Sequence, residues 1–138
     1  AAAFAQSAKV STPPRGRGEI VLLVDDEAPI RAVAKQTLER FGYIVLLAAN
    51  GAEASAIYAR EQASIAVVLT DITMPVMDGH ALIQTLKLIN PAVKIIASSG
   101  LVSEAAIGRI MASGAQHFIR KPYTAEAMLA ILDKALQH

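Results

Sequence analysis

The chain has 138 residues, room for one domain of ordinary size and not for two independent cores. Thirteen basic against twelve acidic side chains leave a formal charge of +1, so no global field steers it toward nucleic acid or an anionic membrane surface. Cysteine is absent, which excludes disulfides and thiolate metal sites and restricts any metal to oxygen or imidazole ligands, and no apolar run reaches the roughly 20 residues needed to cross a bilayer.

In chain order, residues 1–18 are Ala-rich and then rich in Ser, Pro, Arg and Gly, with no sustained apolar period; this reads as a linker or disordered tail ahead of a domain over 19–138. Five short apolar runs follow: Glu19 to Val24, Tyr43 to Ala48, Ile65 to Thr70, Val93 to Ser98 and His117 to Arg120. Each precedes a stretch with helical spacing. In the first, Ile30, Val33, Ala34, Leu38 and Phe41 fall near the i, i+3, i+4, i+7 pattern expected of one buried face, ending at Gly42. The other helices are expected at Gly51 to Gln62, His80 to Asn90, Ser103 to Ser113 and Thr124 to Gln137, with Thr124 as N-cap. Runs such as Ile20-Val21-Leu22-Leu23-Val24 are apolar on both faces, as strands covered by helices on each side must be. The predicted fold is therefore α/β, a (βα)5 doubly wound parallel five-stranded sheet of flavodoxin-like type.

Such sheets place their ligand site beyond the carboxyl ends of the strands, near the switch in strand order. Strand one ends in Asp25-Asp26-Glu27, strand three in Asp71, strand four in Ser98-Ser99-Gly100 and strand five in Arg120-Lys121-Pro122. Singly, each is an ordinary cap, turn or rim residue. Together they put carboxylates, a hydroxyl and an ammonium group at one edge. Crowded carboxylates repel and raise one another's pKa unless a cation lies among them, and Mg2+ suits oxygen ligands completed by water. A lysine at the same edge would pair with a dianionic group carried on a carboxylate, which points to an acyl phosphate.

Val24-Asp25-Asp26-Glu27, the run Asp71-Ile72-Thr73-Met74-Pro75-Val76-Met77-Asp78-Gly79, Ser99-Gly100 and Lys121-Pro122 resemble the signature of response-regulator receiver domains over roughly Glu19 to Gln137. The resemblance implies Asp71 as phosphoacceptor, Mg2+ held directly by Asp26 and Asp71 with help from Asp25, often through water, and the Thr73 carbonyl as a further ligand. It also implies that Ser99 and Lys121 bind the phosphoryl group, and that Ser99 and Phe118 form a switch altering the surface of helix four, strand five and helix five. Ser99 stands where Thr is more frequent, and Phe118 where many members have Tyr. Met74-Pro75 and Asp78-Gly79 read as the turn leaving the acceptor loop, with Gly79 expected to allow φ > 0. The implied partner is a histidine kinase dimerisation and phosphotransfer domain or a histidine phosphotransfer protein, with no nucleic acid or membrane contacted by this domain. The chain is then a phosphoacceptor that promotes its own phosphorylation and dephosphorylation rather than a kinase, cytoplasmic, and the C-terminal receiver of a hybrid sensor histidine kinase.

A stand-alone regulator or the receiver of another multidomain protein is the alternative parent. An aspartyl-phosphate phosphatase of haloacid dehalogenase type is disfavoured, because Asp71-Ile72-Thr73 lacks the second Asp of that family's opening motif and the acidic pair comes too early in the chain. A nucleotide-binding module is disfavoured by the absence of a Gly-rich turn after strand one. His80, His117 and His138 are too scattered for a metal cluster and are expected at the surface or at strand ends.

Overall fold

The computed structural model describes residues 14–73, 78–100 and 103–137. Strands and helices alternate: β1 (Ile20–Val24), α1 (Ala28–Arg40), β2 (Ile44–Ala48), α2 (Gly51–Glu61), β3 (Ile65–Asp71), α3 (Gly79–Ile89), β4 (Ile95–Ser99), α4 (Glu104–Ala112), β5 (His117–Arg120) and α5 (Ala125–Leu136). All strand pairs are parallel, in the order β2-β1-β3-β4-β5. Strand alternation divides the core in two. Val21 and Leu23 of β1 pack with Ala34 and Leu38 of α1 and with Met128, Leu129 and Leu132 of α5. Leu22 and Val24 face Tyr58 of α2, Leu82, Ile83 and Leu86 of α3 and Ile110 of α4. The (βα)5 expectation and its five strands therefore hold, with ends shifted by one or two residues.

Four helices begin the same way: Asn50, Asp78, Ser103 and Thr124 each accept a hydrogen bond from the backbone N–H three residues on, at 2.8–3.1 Å. Each satisfies a donor that the first helical turn leaves unpaired. The fifth helix, α1, has Pro29 in its first turn, where no N–H is needed. One expectation for α1 fails. Val33 is 63% exposed rather than part of the buried face. Ala34 and Leu38 alone fill the narrow contact with the sheet, and Val33 is turned toward α5, where with Ile30, Thr37, Pro122, Tyr123 and Met128 it lines a groove of about 340 Å3.

Residues 15–18, ahead of β1, are fastened to the α1–β2 corner. Gly16 N–H donates to Phe41 O at 2.6 Å, Gly18 N–H donates to Gly42 O at 2.8 Å, and the Arg15 guanidinium lies 5.5 Å from the centre of the Phe41 ring. Gly42 has φ +96, and a Cβ there would lie 2.4 Å from the Gly16 carbonyl oxygen. Both the left-handed backbone and the contact exclude a side chain. Gly42→Ala should cost at least about 2 kcal/mol, the left-handed penalty plus displacement of the Gly16 backbone. Denaturant melts check this, and a loss within the scatter of surface substitutions would mean that the corner yields freely.

Candidate functional site

Sheet register brings the acidic residues together. Val24 of β1 is paired with Thr70 of β3, so the next residue on each strand, Asp25 and Asp71, leaves the sheet side by side at its carboxyl edge. Beyond them Asp71 is paired with Ser98 of β4, and Ser99 with Arg120 of β5, which places Lys121 at the same edge. Because β1 has β2 on one side and β3 on the other, this is the point where strand order reverses.

Asp25, Asp26 and Asp71 each bring a carboxylate oxygen to within 4.8 Å of the others. Their surroundings differ. Asp25 and Asp71 are buried and Asp26 is exposed. The Lys121 ammonium lies 3.1 Å from Asp25 Oδ2, 3.3 Å from Asp71 Oδ2 and 3.6 Å from Glu27 Oε2. The Asp25 side chain also accepts the Glu27 N–H at 2.9 Å, and the Arg31 guanidinium donates to the Asp25 carbonyl at 2.7 Å. Asp71 Oδ1 accepts the Thr73 N–H at 3.2 Å. The bond Lys121-Pro122 is cis, and Lys121 N–H donates to Ser99 O at 2.9 Å.

The charges are unequally served. Burial raises the pKa of the Asp71 carboxyl above its ordinary value; Lys121 and the Thr73 N–H pull it down, Asp25 pushes it up, and burial prevails. The Lys121 ammonium, by contrast, is held well above the usual lysine range: burial disfavours it, but Asp25 and Asp71 outweigh that loss. Both directions follow from sharing. One cation serves two buried carboxylates, so it gains from both while Asp71 receives only part of its attraction. The Tyr123 phenol is pushed up to about 12 by burial and by Asp25, offset in part by Lys121, so it stays neutral beside the cluster.

The structure thus gathers Asp25, Asp26, Asp71, Ser99 and Lys121 at one edge, with Thr73 following Asp71. Phe118 is partly buried, packed on the side of the sheet covered by α2, α3 and α4. Ser99 is buried. His80 and His117 are half-buried, and His138 lies outside the described residues, as do Met74 and Pro75. Sequence reading missed Tyr123 and Arg31, which carry no motif and are brought in by the β5–α5 loop and by the first turn of α1.

It also misread Gly79. This glycine is the first residue of α3 and is absent from the positive-φ glycines, Gly18, Gly42 and Gly114. What requires it is proximity: a Cβ would lie 2.6 Å from Ile72 Cα and 2.8 Å from Asp71 O, both backbone atoms, while Gly79 N–H donates to Ile72 O at 2.9 Å. The first turn of α3 is a backstop for the loop that carries Asp71. Gly79→Ala should push that loop outward and shift the backbone amides of Asp71 to Thr73. Amide NMR measures this, and unchanged amides there in a folded variant would show that the helix moves instead of the loop.

A family model described as response regulator receiver domain matches residues 21–133. The chain is 35% identical over 117 residues to chemotaxis protein CheY of Bacillus subtilis, covering 84% of this chain and 96% of that protein. It is 32% identical over 117 residues to sensor kinase CckA of Brucella abortus, where the match covers 85% of this chain but only 12% of the kinase. A solved CheX-CheY complex with BeF3 and Mg2+ from Borrelia burgdorferi superposes with a TM-score of 0.80 at 29% identity, covering 84% of this chain and 87% of the other.

Proposed function

The chain belongs to the response regulator receiver domain family of two-component signalling, and from that premise we propose that Asp71 is its phosphoacceptor, with Mg2+ held by Asp71, Asp26, the Thr73 carbonyl and, through water, Asp25. The carrying observation is the single ammonium, Lys121, shared between the buried carboxylates of Asp25 and Asp71 at the carboxyl edge of the sheet. Receiver domains work with histidine kinases or phosphotransfer proteins, so the donor is a phosphohistidine; its N–P bond breaks as an Asp71 oxygen bonds to phosphorus, and the imidazole leaves.

Among the described residues the metal-ligating atoms of the cluster are carboxylate oxygens, which suits a hard divalent ion, and the CheY complex from Borrelia burgdorferi contains Mg2+. Mg2+ when bound supplies positive charge against the phosphoryl oxygens. Burial strips solvent from Asp71, while the Thr73 N–H on Oδ1 and the Lys121 ammonium on Oδ2 hold its carboxylate in place for attack. Lys121, already within 3.3 Å of Asp71, needs only a small swing to pair with the transferred group. The Ser99 hydroxyl donates to a phosphoryl oxygen. Its movement toward that oxygen lets Phe118, already packed inward, settle further and alters the α4–β5–α5 surface. The domain serves as the C-terminal receiver of a hybrid sensor kinase, the reading favoured by the likeness to one segment of CckA; a stand-alone regulator, favoured by the nearly full-length likeness to CheY, is the second reading.

Acetyl phosphate with Mg2+ should place one acid-stable, base-labile phosphoryl group on Asp71, located by mass spectrometry. Asp26→Ala should weaken Mg2+ binding by about tenfold or more while changing metal-free stability by less than about 0.5 kcal/mol, since the side chain is exposed. Asp25→Ala should destabilise the metal-free fold, because the nearest partner of Lys121 is lost. An adduct elsewhere, or Mg2+ affinity indifferent to Asp26, would exclude this assignment.

A further inference from the structure

The first turn of α3 touches the Asp71 loop on one side and α4 on the other. Gly79 abuts the Asp71 and Ile72 backbone, and the next residue, His80, has its Nδ1 2.9 Å from Ser113 Oγ at the C-terminal end of α4. The Ser113 hydroxyl also donates to Arg109 O at 2.9 Å, which leaves its oxygen to accept from His80 Nδ1. A second contact reinforces the first. Gly114, with φ +124, runs so close beneath α3 that a Cβ would lie 2.8 Å from Lys87 Cε and 3.3 Å from Ile83 Cγ2. The C-terminal end of α4 is therefore pinned to α3. Further along α4, Ile110 is buried in the core with Ile83 and Leu86 of α3, while Gly108 lies on the open side, where a Cβ would meet nothing within 4 Å and a glycine inside a helix costs roughly 1 kcal/mol relative to alanine.

We propose that the His80–Ser113 hydrogen bond carries displacement of the Asp71 loop through the first turn of α3 to the C-terminal end of α4, a route to the output surface separate from Ser99 and Phe118. His80 and Ser113 are positioning residues in this arrangement and touch neither the acceptor nor the metal ligands. Movement of the Asp71 and Ile72 backbone meets Gly79 directly, through the close backbone approach and the Gly79 N–H bond to Ile72 O. The rigid helical turn passes it to His80, and the pin makes α4 pivot about Ser113 instead of sliding as a whole. This inference rests on Asp71 being the phosphoacceptor.

Ser113→Ala removes the acceptor, and His80→Phe removes the donor while keeping a ring. In the full chain, amide NMR of the wild type with Mg2+ and beryllofluoride, a phosphoryl mimic, should show shifts at Ser98, Ser99 and Phe118 and also from Arg109 to Ser113. Either variant should reduce the α4 shifts at least about twofold and leave the strand-end shifts in place, and the double variant should do no more than either alone, as expected of two halves of one interaction. Without the mimic, hydrogen exchange at Ser113 and Gly114 should quicken by about threefold or more in the variants while β4 amides keep their protection. Wild-type α4 shifts in both variants would overturn the relay. If beryllofluoride shifts no strand-end amide in the wild type, the Asp71 assignment fails and takes the relay with it; the exchange measurement then still decides whether the pin itself exists.

Discussion

Asp71→Asn should carry no phosphoryl group under conditions that fully label the wild type, a drop of at least about two orders of magnitude because an amide oxygen cannot replace the carboxylate nucleophile. The same substitution should stabilise the metal-free protein at neutral pH. The folded-state pKa of Asp71 is raised, chiefly by burial, so in the window between the ordinary aspartate range and that raised value the folded protein binds more protons than the unfolded chain. Stability contributed by this group consequently falls as pH rises through the window, and the penalty persists above it. Asparagine is neutral throughout, keeps an oxygen for the Thr73 N–H, and leaves Lys121 paired with Asp25. Melts in EDTA should show the variant above the wild type at pH 7 and the two converging near pH 4. A variant less stable at pH 7 would mean that Lys121 contributes more to Asp71 than burial costs it.

Lys121→Ala should be the most damaging single change at the site. Asp25, Asp71 and Lys121 side chains are 2%, 5% and 15% exposed, so removing the shared cation strands two buried carboxylates. Taking one partner from a buried ion pair costs about 3–5 kcal/mol, and the lower end applies because the cluster opens to solvent through Asp26. The lysine pKa is raised on folding, so its stabilisation is fully present below the ordinary lysine range and is lost only above it; at pH 7 all of it is removed by the substitution. Two conditions should restore part of the loss. Acid protonates the stranded carboxylates, and Mg2+ neutralises them. Recovery by Mg2+ ties the stability defect to the acidic cluster, whereas a loss indifferent to both Mg2+ and acid would trace it to the Lys121 stem. If Lys121 pairs with the phosphoryl group as proposed, adduct formation should slow as well.

Sequence alone determined the fold and the address of the site. Five apolar runs separated by helical periodicity admit few arrangements besides a covered parallel sheet, and such a sheet exposes the residues that follow its strands at one edge. Asp25, Asp71, Ser99 and Lys121 could therefore be placed together without coordinates, and Thr124 could be named a cap because an N-cap bond reaches only three residues along the chain. Tertiary structure decided what depends on direction and approach. Asp25 and Asp26 are neighbours of equal charge, and the chain leaves the strand between Val24 and Asp25, so strand alternation no longer tells which carboxylate is covered; the pairing of Val24 with Thr70 and the reach of Lys121 do. Gly79 was legible as necessary but for the wrong reason, because a backbone 2.6 Å away leaves no mark in local sequence. Val33 fits the helical period, yet α1 meets the sheet along a line too narrow to cover it. His80 and Ser113 lie 33 residues apart with no pattern joining them, and only the packing of α4 against α3 brings donor to acceptor. Local periodicity fixes which residues can face the core or end a strand, whereas contacts between elements remote in sequence are fixed by register and by helix approach, which no short-range pattern encodes.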